Sequence, residues 1–368
     1  MKVLYDSQVF ANQFYGGISR YFVELAKRLA YSDGMSVQVF APFHINHYLS
    51  ELDQEIVFGK QIRKSPRRLI KLLKLYNFLA TRRRVNIVEP DILHETYFSR
   101  AHVALRYKQA RVLTVYDMIH ELYPESFSTW DRTARDKRVA VDRADHVICI
   151  SENTRRDLLN ILNVPSSKVS VVHLGFDSQQ ALEETPVTPA IQEPYLLYVG
   201  SREGYKNFPR LLEAYASSEP LHRDYRLVCF GGGCFTNSEK QLFRDLDLAD
   251  DRVLWMGGSD AVLMGLYQHA TAFLYPSLYE GFGIPPLEAM AHDCPVICSK
   301  GSSISEVVGH AGEFFDPHDS GEIACAIENV IGSPTRAEEL RSSGRKRLKS
   351  FTWEKCAART REVYSSLL

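Results

Sequence analysis

The stretch YEGFGIPPLEAM, residues 279–290, sets two carboxylates, Glu280 and Glu288, on either side of two glycines and two prolines. Pro285 and Pro286 suit the first turn of a helix, where a missing N–H leaves no partner unsatisfied. Glu280 then falls in the loop before that helix and Glu288 about one turn inside it, so they share no helix face and each has its own task. The amides of Phe282, Gly283 and Ile284 fall beside the helix N-terminus, which favours an anion by roughly 0.3–1 kcal/mol, up to ~2 when partly buried. A second stretch, YVGSREGYKNFPRLLEAY, residues 198–215, places Arg202 and Lys206 in a loop that follows Gly200 and Ser201. Two cations at a strand end suit a diphosphate, Arg through its planar fork and Lys as a compact point charge. Each charge-assisted hydrogen bond contributes roughly 1.5–3 kcal/mol, so the cations dominate binding and the helix end orients the group.

A third glycine loop, in YGGISRYFVELAKRL at residues 15–29, sets Gly16 and Gly17 before a helix with Ser19 as its N-cap, a second place for an anion. Two further patterns read as ordinary structure. Asp245-Leu246-Asp247 is a DxD inside a charged surface helix. GGGCF, residues 231–235, lacks GxGxxG spacing and reads as a tight turn. The seven cysteines sit mostly in apolar runs such as HVICI and RLVCF, Cys294 and Cys298 form a CxxxC without partners, and all read as reduced core thiols with no metal role.

These loops need strands behind them. Short apolar runs alternate with helical patterns: KVLYD, VQVFA, ILHE, RVLTVYD, HVICIS and VSVVHLG, then YLLYVG, RLVCFGG, VLWMG, AFLYPS, PVICS and GEFFD. That is the rhythm of βαβ units with parallel sheets covered on both faces. Residues 179–194 carry prolines and no apolar period, and read as a linker. The predicted organisation is α/β: a Rossmann-like domain over 1–178, a second over 195–350, and a terminal helix over 351–368. Two doubly wound domains place the C-terminal ends of both sheets around a central cleft, where ligands of such sheets bind.

With the loops in this order the chain resembles the retaining glycosyltransferases of family 4, which have the GT-B fold. EGFGIPPLE matches the family's E-x7-E motif, YVGSREGYKN its donor-phosphate loop and GGISRY its N-terminal glycine loop, while ADHVICISENTRRDLL and VSVVHLGFD match the end of the first domain. The resemblance implies a nucleotide-diphosphate-sugar donor, bound mainly by the second domain, an acceptor bound mainly by the first, no metal or other cofactor, and retention at the anomeric carbon. By resemblance Arg202 and Lys206 neutralise the departing diphosphate, Glu280 holds donor-sugar hydroxyls and Glu288 the ribose hydroxyls. Phe282, Gly283 and Ile284 present amides to the donor, with Gly17, Gly200 and Ser201 completing its loops. Many members carry His-Asp where this chain has Tyr116-Asp117, so Asp117 or His120 serves the acceptor side beside Tyr116. The last helix looks like the family segment that crosses back onto the first domain.

The loops VGSREGYKNF and VYDMIHELYP look most like bacterial mannosyltransferases of surface polysaccharide assembly, such as lipopolysaccharide, which makes GDP-mannose the first donor expectation. A UDP-sugar, a soluble acceptor as in sucrose- or trehalose-forming enzymes, and a non-catalytic sugar-nucleotide-binding subunit are the alternatives; the last is disfavoured because both glutamates and both cations are present. Lys+Arg 44 against Asp+Glu 45 gives no global reason to expect nucleic-acid binding. The N-terminus reads as a buried strand, not a signal peptide, and no run reaches the ~18 apolar residues of a membrane span, so the expected location is cytoplasmic. Residues 60–84, KQIRKSPRRLIKLLKLYNFLATRRR, hold ten Lys or Arg and no acid, with Arg67, Lys71 and Lys74 on one helix face and Leu69, Leu72, Leu73, Tyr76 and Leu79 largely on another. This basic amphipathic element suits peripheral contact with an anionic membrane, where each cation contributes about 1 kcal/mol, and a lipid-linked glycan acceptor.

Overall fold

The computed structural model describes residues 1–62, 67–106, 109–178 and 191–368. The chain separates into two compact units, one of Met1–Glu121, Thr129–Gly175 and Thr352–Leu368, the other of Leu122–Ser128 and Phe176–Phe351. Residues 179–190 of the expected linker, and 63–66 of the basic stretch, lie outside the described residues.

In the first unit the described strands are β1 (Lys2–Tyr5), β2 (Ser36–His44), β3 (Val57–Gln61), β4 (Ile92–Glu95), β5 (Ala110–Val115), β6 (His146–Cys149) and β7 (Val169–Val171). They form one parallel sheet in the order β3-β2-β1-β4-β5-β6-β7. β4, β5 and β6 are buried at every position, as central strands covered on both faces must be. β3 went unread in the sequence because VFGKQ is a mostly exposed edge strand with no apolar run. Its glycine is required there: a Cβ on Gly59 would sit 1.8 Å from the Ala41 carbonyl oxygen, beside the bulge in β2.

The terminal helix Trp353–Ser365 belongs to this first unit, packed on the helix Gly17–Ala30 and tied to it by Arg28 Nε donating to Glu354 at 2.8 Å. Tyr364 carries the helix into the core. Its hydroxyl lies 2.6 Å from His94 Nδ1, while His94 Nε2 lies 2.8 Å from Thr114 Oγ1. Burial lowers the His94 pKa from its ordinary 6.5 to about 3. The folded state therefore excludes a proton that the unfolded chain binds below pH 6.5. Stability from this group is complete above pH 6.5 and falls by up to ~1.4 kcal/mol per pH unit down to about pH 3. Urea midpoints taken between pH 7 and pH 5 should show this slope, and His94→Gln should flatten it.

The second unit's described strands are β8 (Tyr195–Val199), β9 (Arg226–Phe230), β10 (Val253–Met256), β11 (Ala272–Tyr275), β12 (Val296–Ser299) and β13 (Gly312–Phe315). Their order is β10-β9-β8-β11-β12-β13, all parallel. The chain reverses its direction of travel across the sheet at β8, and such switch points are where open α/β sheets bind ligands. The core beneath is built from Leu211, Leu212 and Tyr215 of the helix Phe208–Ser217 against Leu196, Tyr198 and Ile297.

Candidate functional site

β8 and β11 are neighbours, so the loops that leave their C-terminal ends meet. The first turns at Gly200, with φ of +129°, and the Tyr198 hydroxyl donates to the Ser201 carbonyl; a short 3-10 turn, Gly204–Lys206, follows. The second runs from Tyr275 to the helix Ile284–Ala291, which begins at Gly283 with φ of +106° and carries proline in its first turn. Glycine is needed at 283 because L side chains rarely adopt that conformation. The loops are joined by Lys206 Nζ donating to Glu280 Oε1 at 2.7 Å, both groups largely buried. The Tyr275 hydroxyl also bonds the Glu280 carboxylate. Ser303 Oγ reaches the Glu280 and Phe282 carbonyls at 2.7 and 3.0 Å, which holds the loop in shape. Glu288 stands apart, accepting from the Tyr267 hydroxyl at 3.1 Å. The eight-residue spacing thus separates two carboxylates with different partners.

Arg202 departs from its expected place. Its guanidinium is buried, with Nε donating to Glu239 at 2.5 Å and its terminal nitrogens donating to the carbonyls of Gly231 at 3.0 Å, Gly233 at 2.9 Å and Cys234 at 3.4 Å. It also stacks over Phe235. GGGCF is a cradle for this arginine: the three glycines have φ of +87°, +65° and +75°, and the loop so shaped turns the Gly231, Gly233 and Cys234 carbonyls toward it. The fork is spent on the protein's own loop, so an anion finds Lys206 there before Arg202. Arg202→Ala strips the donors from Glu239 and three carbonyls, and should destabilise the second unit by about 3 kcal/mol in urea unfolding. An unchanged midpoint would contradict that role.

Two local expectations are also corrected. Ser19 does not cap its helix, which starts at Gly17; its hydroxyl donates to the Gly16 carbonyl at 2.9 Å, and the Gln13 side chain accepts from the Ser19 amide at 3.3 Å. The DxD does not lie within a helix either. The helix Asn237–Asp245 ends at its first aspartate, and Asp247 has φ of +52°, so the two side chains share no helical face.

In the first unit, Gly17 opens its helix with space around it, and Tyr116-Asp117 follow β5. Tyr116 is buried against Tyr21, its hydroxyl has no hydrogen-bond partner among the described residues, and burial pushes its pKa well above 10. The group that organises this loop is Lys137, buried in the helix Thr133–Arg143. Its Nζ donates to the Asp117 carbonyl at 2.8 Å and to Glu121 at 2.7 Å, and lies 3.7 Å from Asp117 Oδ1. His120 lies 4.0 Å from Asp131, with its pKa lowered mainly by burial. Asp117, His120 and Glu121 thus share one cluster with Lys137, while Tyr116 packs on Tyr21 beside them in the chain.

Comparison with known proteins assigns both halves. The description "Glycosyltransferase Family 4" matches residues 15–180, and "Glycosyl transferases group 1" matches 183–347. The chain belongs to glycosyltransferase family 4. Over 95% of its length the enzyme is 29% identical to O-antigen chain mannosyltransferase B of Escherichia coli, covering 96% of that protein. Among solved structures, it matches sucrose-phosphate synthase from Thermosynechococcus elongatus with a TM-score of 0.76 at 20% identity, covering all of this chain and 98% of that one. It matches Anabaena Alr3699/HepE in complex with UDP and glucose with a TM-score of 0.70 at 21% identity, over 100% of both chains. The fold of the glycosyltransferase is GT-B, two parallel-sheet Rossmann-like domains.

The basic stretch of the glycosyltransferase forms the helix Arg67–Val88. Where its side chains are described, it docks through Asn77, Thr81 and Val85, with Asn77 pairing through both amide atoms with the Phe43 backbone at 3.0 and 2.8 Å. Leu72, Leu75, Tyr76 and Leu79, at i, i+3, i+4 and i+7, form an exposed apolar strip beside Lys71 and Lys74. Beneath lies a cavity of about 320 Å³, lined by Lys74, Phe78, Asp6, Gln8, Glu95 and His102 among others, at the C-terminal ends of β1 and β4. No helix among the described residues is long and apolar enough to cross a membrane.

Sequence reasoning also missed Asn207. Held at φ of +59°, it donates to the Pro276 and Pro317 carbonyls at 3.1 and 2.8 Å and ties three loops together. Asn immediately before a helix that opens Phe-Pro is a readable signal, since Asn tolerates the left-handed region. Lys137 and Glu239 carried none, because their charges match those of ordinary surface helices.

Proposed function

We propose that this glycosyltransferase moves a hexose from a nucleotide-diphosphate sugar to a glycan acceptor, with retention at the anomeric carbon and without a metal. The observation that carries the reading is the Lys206–Glu280 pair, held at 2.7 Å where β8 and β11 end beside a helix N-terminus. In the step, the bond from the anomeric carbon to the phosphate oxygen breaks and the acceptor oxygen bonds that carbon on the same face. The acceptor proton passes to the departing phosphate. Charge grows on the diphosphate, and Lys206, already oriented by Glu280, stabilises it without reorganisation. Glu280 has a second oxygen for donor-sugar hydroxyls, Glu288 takes the ribose hydroxyls, and the amides of Phe282, Gly283 and Ile284, with Gly200 and Ser201, face the donor. Asp117 and His120, with Tyr116, serve the acceptor side, as does Gly17.

The sugar is mannose and the donor GDP-mannose, a reading supported by the name of the E. coli relative that spans 96% of its own length. The acceptor is a lipid-linked glycan of surface polysaccharide assembly. The exposed strip Leu72, Leu75, Tyr76 and Leu79, with its lysines, suits an anionic membrane surface on the cytoplasmic side. A thermal-shift panel of GDP, UDP, GDP-mannose and UDP-glucose tests the donor, since a ligand at 100 times its Kd stabilises by ~2.7 kcal/mol. GDP-mannose should give the largest shift; a larger one from UDP-glucose overturns the base and sugar assigned. Transfer unchanged by chelator and sedimentation with anionic liposomes at low salt are the outcomes that support the metal-free and membrane readings.

A further inference from the structure

We propose that Tyr123 is a positioning residue for the donor site, a role that rests on the donor reading above. Leu122–Ser128 is encoded between two elements of the first sheet but belongs to the second unit. Its turn Pro124–Ser126 packs on the turn Gly204–Lys206. The fit is close: Gly204 has φ of +53°, and a Cβ on it would sit 2.5 Å from Ser126 Oγ. The Tyr123 ring lies 5.9 Å from that of Tyr205 and 6.1 Å from that of Tyr279.

Those two tyrosines immediately precede Lys206 and Glu280 in the chain. One ring therefore braces both loops of the pair just before the side chains that do the work. Tyr205 is itself part of the cation's surroundings, with Lys206 Nζ 5.2 Å from its ring centre, and its carbonyl accepts from the Leu278 amide at 2.8 Å. Tilted aromatic contacts at this range are directional, so the ring fixes orientation as well as filling space. Without it, the turn that carries Lys206 and the loop that carries Glu280 lose a shared wall. Tyr123 reaches the substrate only through them.

The test titrates GDP and UDP into the purified full chain and measures steady-state transfer in parallel. Tyr123→Ala should weaken the better-bound nucleoside diphosphate, and raise the donor KM, by about tenfold, the scale of two lost aromatic contacts. The ligand-free melting temperature should stay within a degree or two, and Tyr123→Phe should restore affinity to within about twofold. Unchanged affinity in Tyr123→Ala overturns the inference, as does a loss that Phe fails to restore. If the wild type binds neither nucleotide, the donor reading itself falls and takes this role with it.

Discussion

Lys206→Ala should lower kcat/KM for transfer by about a thousandfold while leaving the chain folded. The magnitude is that of removing a preorganised donor from a site where charge develops in the transition state. Arg202 does not replace it, since it is held by Glu239 and the glycine cradle. The fold should survive because Glu280, once unpaired, keeps the Tyr275 hydroxyl and its loop keeps Ser303. Lys206→Arg should recover little, because a guanidinium is larger and planar where a compact ammonium meets Glu280 at 2.7 Å. Turnover of Lys206→Ala within tenfold of wild type would remove the lysine from its role.

Glu280→Gln should lower kcat/KM by about a hundredfold, with the same side-chain shape and without the charge that aims the lysine. The sharper expectation is its coupling. If Glu280 acts largely by orienting Lys206, the double variant should be little worse than Lys206→Ala alone, as for groups that work as a unit. A four-way cycle in kcat/KM measures this, and fully multiplicative losses would mean that the two act separately.

The βα rhythm was legible because each buried strand is a short apolar run bounded by glycine or a charged turn, and parallel central strands admit little else. The helix that starts at Ile284 and the loop that follows Gly200 were legible for a similar reason: proline and glycine state their backbone requirements locally. Side-chain partnership was not. Arg202 read as a ligand cation because a charged residue in a glycine-bounded loop is the same string whether it faces solvent or turns inward. Only the position of β9 and the helix Asn237–Asp245 brought Glu239 and the Gly231–Cys234 carbonyls to it.

The basic helix shows the same limit from the other side. Its periodicity separated a leucine face from a basic one but did not name the residues that dock it: Asn77 and Thr81 face the core, and Asn77 makes two amide bonds to the Phe43 backbone. By itself the sequence determined the α/β class, the two-domain order and the glycine and proline loops at the strand ends, since these follow from local runs, spacings and backbone limits. The tertiary structure alone decided which cation meets Glu280, what Lys137 holds and that Tyr123 belongs with the second unit. Those pairings join residues from 16 to 156 positions apart, and no local propensity encodes which of two equally charged or equally aromatic side chains arrives.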